Sequence, residues 1–354
     1  MKIEKTELAK KISQLKSVVP KKTTIDALQG ILVDEGYLIA ANNELTVKAK
    51  LEGIEDEKFI IPAKAFDLIN SLPAGEVTIT QSKGEVTIQM GKIKNKFKTH
   101  PAENFVYTRT SIEAIGKGEG AVSAKKIKRA ISHVLYAIPA TAGNPIMTGM
   151  YISCYGGKMD FVGLDGHRIA WDCIEYDGNF GLIIPKPAVD KILQLDLQGD
   201  VRISYDANGA IFATDEFEIY TRLIHGEYFK YQNMFSEGSI CTVVDRKILL
   251  ESINRAQLCG FMEDKAPVVL DVVGSIIHIE YKNTQADYEE EIATQMNAGD
   301  GLKIGFNPRL LIDSLKSFDC DNVSISFTSG KMPVIIRAED SDMTALVLPV
   351  NINQ

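Results

Sequence analysis

Lys125-Lys126-Ile127-Lys128-Arg129-Ala130-Ile131-Ser132-His133-Val134-Leu135-Tyr136-Ala137-Ile138-Pro139 sets Ile127, Ile131, Val134 and Ile138 at the i, i+4, i+7, i+11 spacing of an amphipathic helix closed by proline. The same series stands 119 residues earlier as Leu8, Ile12, Leu15, Val19 and Pro20, and 122 residues later as Leu249, Ile253 and Ala256, where it weakens but keeps its period. A second helix recurs in step: Pro62, Pro185 and Pro308 open it near the first turn, where a missing N–H costs nothing. Asp67, Asp190 and Asp313 follow, with Ile69, Ile192 and Leu315 on its apolar side. Alternating strands come next, at Val77-Thr78-Ile79, Val201-Arg202-Ile203 and Val323-Ser324-Ile325. An ordered set of landmarks met three times is an internal repeat of about 120 residues.

Glu103, Phe105 and Tyr107 return as Glu227, Phe229 and Tyr231, so the repeats end near 118 and 240 and the domains are expected at 1–118, 119–240 and 241–354. Between the helices the chain reads as short alternating strands and turns, as in Met159 to Leu164, then Asp165-Gly166, then Arg168 to Tyr176. The expected fold class is α+β: three repeated domains, each two helices packed on antiparallel sheet. Repeats of this length suit an arc or closed ring of similar domains.

The 354 residues, 45% of them hydrophobic and 24% charged, can supply a core to each domain. No apolar run approaches the roughly 18 residues of a membrane span, and the N-terminal residues carry no signal-peptide pattern, so a cytoplasmic protein with no membrane association is expected. Five scattered cysteines and five dispersed histidines suggest neither disulfides nor a metal site, and no cofactor is expected.

The net charge of −8 argues against a nucleic-acid partner until its distribution is considered. Residues 121–159 hold no Asp or Glu but contain Lys125, Lys126, Lys128, Arg129 and Lys158. At 100° per residue these helix cations fall opposite the apolar stripe. Lys10 lies opposite the stripe of the first helix, with Lys11 and Lys16 flanking it, whereas the third helix mixes Lys247 and Arg255 with Glu251. Such faces commonly do no more than meet solvent. The lack of compensating glutamates and their recurrence favour sequence-independent attraction to phosphates.

At Gly163-Leu164-Asp165-Gly166-His167-Arg168-Ile169-Ala170 the chain resembles the T-D-G-H-R-L-A segment of the beta subunit of bacterial DNA polymerase III, the sliding clamp. Asn144-Pro145-Ile146-Met147-Thr148-Gly149-Met150, Leu223 to Tyr231, Ile304-Gly305-Phe306-Asn307 and Leu348-Pro349-Val350 resemble further segments of that family, in order. The resemblance implies the DNA clamp fold in a head-to-tail homodimeric ring that encircles double-stranded DNA without sequence specificity during DNA replication. It implies no catalysis. The implied partners are the catalytic subunit of DNA polymerase III, an ATP-driven clamp loader and other proteins carrying Q-L-x-L-F-like clamp-binding motifs.

Carried over by position, a partner-peptide pocket is expected from Met147, Leu164, Gly166, His167, Arg168, Ile169, Phe229, Asn233, Met234, Leu310, Pro333, Leu346, Leu348, Pro349 and Val350. An apolar cleft with a few polar groups at its rim suits a short hydrophobic peptide. DNA contacts are expected from Lys21, Lys22 and Lys186 beside Lys10, Lys125, Lys126, Lys128 and Arg129, and a dimer seam from Phe97 of one copy against Leu258 and Cys259 of the other.

The chain departs from the family at Phe229, where proline is usual, and at Lys230, where Asp or Asn is. It ends in Asn351-Ile352-Asn353-Gln354 rather than Arg-Leu, and Pro145 and Ile146 replace an aromatic pair. Two rival readings are an enzyme using Asp165, His167 and Arg168 as an acid–base set, and an interaction scaffold of clamp fold that does not load on DNA. Adjacent residues at a hairpin tip suit the first poorly.

Overall fold

The computed structural model describes residues 1–108, 116–236, 238–260, 266–295 and 301–352. One order of elements runs through it three times. The first run is β1 (Lys2–Glu4), α1 (Lys5–Leu15), β2 (Gly30–Asp34), β3 (Tyr37–Ala41), β4 (Leu45–Lys50), β5 (Phe59–Pro62), α2 (Phe66–Ser71), β6 (Glu76–Ser82), β7 (Glu85–Met90) and β8 (Ile93–Lys98). The second is β9 (Gly116–Ser123), α3 (Ala124–Val134), β10 (Gly149–Tyr155), β11 (Lys158–Leu164), β12 (Arg168–Glu175), β13 (Phe180–Pro185), α4 (Lys186–Gln194), β14 (Asp200–Tyr205), β15 (Gly209–Ala213) and β16 (Phe217–Arg222). The third is β17 (Ile240–Asp245), α5 (Arg246–Leu258), β18 (Val268–Val273), β19 (Ile276–Lys282), β20 (Asp287–Ala293), β21 (Leu302–Phe306), α6 (Pro308–Lys316), β22 (Asn322–Phe327), β23 (Val334–Ala338) and β24 (Thr344–Val347).

The repeated apolar positions are where burial is deepest. Leu8, Ile12 and Leu15 of α1, Ile127, Ile131 and Val134 of α3, and Leu249, Ile253 and Ala256 of α5 are all at most 2% exposed. So are Ile69, Ile192 and Leu315 on the second helices and the valine–isoleucine pairs of β6, β14 and β22. A fully buried side chain of this size contributes roughly 1.5–3 kcal/mol, which is why the period of the pattern, rather than the identity of each residue, fixes the elements.

Two sequence expectations shift by a few residues. The α1 helix stops at Leu15, so Val18 rather than Val19 is buried after it, and the α3 pattern passes into a 3-10 turn at Leu135–Ala137 before Ile138. Pro308 does open α6, but Pro62 and Pro185 end the preceding strands, paired with Gly30 and Gly149. The end of α1 is closed by the next repeat: the buried ammonium of Lys191 donates to the Gln14 carbonyl and, at 2.6 Å, to Ser17 Oγ. Burial pushes that ammonium down to about 8.

All pairings are antiparallel, and the sheets do not respect the repeats. One eight-stranded sheet has the order β5-β2-β3-β4-β16-β15-β14-β9, a second β13-β10-β11-β12-β24-β23-β22-β17. The first and second repeats are thus joined where β4 meets β16, and the second and third where β12 meets β24. Two four-stranded sheets remain, β1-β6-β7-β8 and β20-β19-β18-β21, with β8 and β20 as outer strands. By position in the repeat, β4, β12 and β20 are equivalent, as are β16, β24 and β8.

By compactness the chain divides differently from the repeat: residues 1–126 with 190–223 form one unit, residues 127–189 with 224–354 the other. The division passes through α3 and α4, and each unit contains one eight-stranded and one four-stranded sheet.

Candidate functional site

The turn between β11 and β12 is built by Asp165. Its Oδ1 accepts the N–H groups of His167 at 2.9 Å and Arg168 at 3.1 Å, and its own N–H donates to the Arg168 carbonyl at 3.2 Å. Gly166 sits at φ +86°, where a side chain is disfavoured. The same turn occurs at Asn42, whose Oδ1 accepts from Glu44 and Leu45, and at Asn283, whose Oδ1 accepts from Gln285 and Ala286. In the middle repeat alone it carries an aspartate followed three residues on by an arginine.

Arg168 is held from three sides. Nε donates to Asp165 Oδ2 at 2.9 Å, Nη1 to Asp313 Oδ2 at 2.8 Å and Nη2 to the Tyr136 carbonyl at 2.9 Å, while the guanidinium lies 5.0 Å from the centre of the Tyr136 ring. Burial penalises the charge, but the carboxylates of Asp313 and Asp165 more than offset that and keep the guanidinium firmly protonated. Both oxygens of Asp165 are therefore committed to the turn, so it is not placed as a general base.

Beside this turn, within the second unit, opens a cleft of about 490 Å³. Its floor is a row across three strands, in which Ile169 of β12 faces Leu346 of β24, which faces Ile335 of β23. Met147, Leu164, Gly166, His167, Arg168, Phe229, Asn233, Met234, Pro333 and Leu348 also line it. Three residues expected there do not. Leu310 stays on the first turn of α6, and the chain after Leu348 is drawn away with Pro349 because the Val350 N–H donates to the Gly305 carbonyl at 2.8 Å. Of the changed C-terminus, Asn353 and Gln354 lie outside the described residues.

Four lining residues escaped the sequence reading: Ser236, Thr328, Met332 and Ile335. Ile335 belongs to a recognisable apolar alternation, but which face of β23 reaches the cleft depends on its pairing with Leu346, 11 residues away in sequence. Met234, Met332 and Leu348 are 44%, 46% and 36% exposed, unusual for apolar side chains and suited to covering by a ligand.

Aromatic packing holds the cleft wall from behind. Tyr151 stacks on Tyr228 at 4.5 Å, Phe229 meets Tyr228 edge-on at 5.6 Å, and Tyr231 meets Trp171 at 5.4 Å. Tyr231 Oη donates to Asp160 Oδ2 at 2.5 Å, and burial together with that bond raises its ionisation far above the usual phenol range. Phe229, the departure from the family's proline, thus has a ring to pack on.

The candidate DNA contacts fare unequally. Lys125, Lys126 and Arg129 of α3 are exposed and Lys128 half-buried; Lys21 and Lys22 are exposed after α1. Lys10 is exposed but paired with Asp196 Oδ2 at 3.0 Å. Lys11 is buried, bound to Glu216 Oε2 at 2.6 Å and lying over the Phe217 ring. Lys186 is half-buried and donates to the Leu135 carbonyl at 3.5 Å. In the third repeat Arg255 is bound to Glu290 at 2.7 Å, holding that carboxyl down to about 2, and Lys247 lies 3.7 Å from Asp321. The most exposed basic helix face is that of α3.

Of the expected dimer-seam residues, Phe97 is half-buried on the outer strand β8, Leu258 is 83% exposed at the end of α5 and Cys259 is half-buried beside it. Among the described residues, no three His, Cys, Asp or Glu side chains converge as a metal site would require, and no helix is long and apolar enough to cross a membrane.

Three runs of one β-α-β₄-α-β₃ unit, joined edge to edge into shared sheets and bearing an apolar cleft at one junction, define a clamp-type repeat protein built for binding. Models of the N-terminal, central and C-terminal domains of the DNA polymerase III beta subunit match residues 1–108, 121–230 and 236–351. The chain belongs to that family, the sliding clamps, non-catalytic processivity subunits of the polymerase. It is 24% identical over 363 residues to the beta sliding clamp of Pseudomonas aeruginosa, covering 98% of each chain, and 23% identical over 386 residues to that of Streptococcus pneumoniae, covering 99% of each. A crystal structure from Eubacterium rectale described as a DNA polymerase III beta subunit aligns at a TM-score of 0.91 with 26% identity over 99% of both chains. The Pseudomonas aeruginosa sliding clamp bound to griselimycin aligns at 0.92 with 22% identity over 99% of both, a likeness of fold.

Proposed function

We propose that two copies of this chain close head to tail into a ring that holds duplex DNA, and that the cleft tethers polymerase and repair proteins to it. The observation that carries this reading is the pair of outer strands β8 and β20. Their equivalents within the chain are already joined, β4 to β16 and β12 to β24, and a third junction of the same kind, made with a second copy, closes the ring. Edges left unpaired invite association.

The two edges are opposite in charge. Lys94, Lys96 and Lys98 alternate along one face of β8, and Asp287, Glu289 and Glu291 along one face of β20. Glu289 stands directly across from Glu280, whose cation is Lys303 at 2.8 Å, so a lysine from β8 of another copy meets an existing like-charge pair. Cross-strand pairs of opposite charge contribute roughly 0.2–1 kcal/mol each. Beside them, Phe97 of one copy covers Leu258 and Cys259 of the other.

Inside such a ring, Lys125, Lys126, Lys128 and Arg129, with Lys21, Lys22, Lys10 and Lys186 in lesser part, attract phosphates without reading bases. The cleft receives Q-L-x-L-F-like peptides of the polymerase catalytic subunit, the clamp loader and other partners, in the cytoplasm, with the junction of the second and third repeats as its floor. The domains act as 1–118, 119–240 and 241–354.

Loading onto nicked circular plasmid with a clamp loader and ATP, followed by linearisation of half the isolated complex, tests the reading. Release from the linear form alone supports a ring held by topology. Equal retention on both forms means ordinary surface binding, and failure to load beside a loading control clamp leaves a scaffold.

A further inference from the structure

Arg168 lines the cleft, yet each of its three guanidinium nitrogens is bonded inside the protein, to Asp165, Asp313 and the Tyr136 carbonyl, and its side chain is only 11% exposed. Asp313 lies outside the cleft lining, on α6 of the third repeat, with its side chain 44% exposed. The Arg168–Asp313 bond therefore ties the second repeat's half of the cleft wall to a helix of the third, across the same junction that forms the floor.

We infer that Asp313 is a positioning residue for the cleft, acting through Arg168. The inference rests on the peptide reading of that cleft and extends it to a residue outside the cleft lining. Two consequences follow from the geometry. Three of the five guanidinium N–H groups are held inside the protein, so Arg168 serves first as wall and the ligand is read mainly by apolar contact. Without Asp313, Arg168 keeps its bonds to Asp165 and the Tyr136 carbonyl but loses the anchor that sets its distance from α6, and a cleft whose wall is less firmly held binds more weakly because ordering it must then be done by the ligand.

The test is calorimetric titration of a Gln-Leu-Ser-Leu-Phe peptide into the full-length wild-type protein, Asp313→Ala, Asp313→Glu, Arg168→Met and the Arg168→Met/Asp313→Ala pair. Asp313→Ala is expected to weaken binding on the order of tenfold, Asp313→Glu to recover most of it, and Asp313→Ala to have no further effect where Arg168 is already Met. Asp313 is half-exposed, so its alanine variant folds even if Arg168→Met does not, and that variant alone can decide against the idea. Unchanged affinity in Asp313→Ala, or an equal loss with and without Arg168, overturns the positioning role and leaves the peptide cleft standing. Absence of peptide binding by the wild-type protein overturns both.

Discussion

Ile169 and Leu346 stand directly opposite each other across β12 and β24, 177 residues apart in sequence, and their side chains form the floor of the cleft. In the proposed peptide reading, the rim above them is the part the ligand covers. Leu348→Ala and Met234→Ala should each weaken a Q-L-x-L-F peptide roughly five- to tenfold, the loss of about 1 to 1.4 kcal/mol of apolar burial. Val350→Ala should leave affinity within about twofold, since its strand is drawn to Gly305 rather than into the cleft. Isothermal titration checks this, and equal losses at Leu348 and Val350 would mean that the binding surface lies further along the chain.

The proposed dimer seam predicts a charge-dependent association. Lys94→Glu with Lys96→Glu should convert the dimer to monomer at micromolar concentration, and adding Glu289→Lys with Glu291→Lys should restore pairing, because only the order of charges has been exchanged. Sedimentation at two ionic strengths reads the outcome. Dimers that persist in the first variant at low salt would place the seam elsewhere.

On α3, reversal of Lys125, Lys126 and Arg129 to glutamate should lower DNA retention and flatten its dependence on salt, by close to one unit of log–log slope for each phosphate no longer neutralised. Lys10→Glu should do less, because Asp196 already offsets that charge. A variant of α3 whose salt slope matched the parent's would remove this helix from the DNA-facing surface.

His133 gives the fold a pH dependence. The ring is buried, which on its own lowers the basicity of the imidazole, but Nδ1 lies 2.8 Å from Asp172 Oδ2 and Nε2 2.9 Å from Asp319 Oδ2, and the two carboxylates raise it above the ordinary 6.5. A raised folded-state value means that the stabilisation is complete below about 6.5 and is lost as pH climbs through the folded value. The stability gap between the parent protein and His133→Asn should therefore be widest near pH 6 and narrow towards pH 9. Urea denaturation at intervals across that range measures it, and a gap that widened with pH would show that His133 is neutral when folded. Asp172→Ala, which leaves the imidazole without its buried partner, should cost about 3 kcal/mol.

Much of this molecule was legible in its residues taken a few at a time. The helical period of Ile127, Ile131 and Val134, its echoes at Leu8 and Leu249, and the turn at Asp165-Gly166 all depend on contacts within one element or one hairpin, and such contacts leave a local pattern. Most of the cleft was reached through segments resembling a known family, since its members Met147, Ile169, Phe229 and Leu346 share no spacing with one another.

The repeating unit, its elements and the apolar positions that bury them can be read from the residues alone. Tertiary structure alone decided that the sheets run across the repeats, that Ile335, Met332, Thr328 and Ser236 join the cleft, and that Lys10, Lys11 and Arg255 spend their charge on carboxylates while Lys125, Lys126 and Arg129 of α3 stand exposed. The reason is physical: periodicity records which face of an element is apolar, but the partner of an outer strand or of a surface charge is fixed by register and packing between segments distant in the chain.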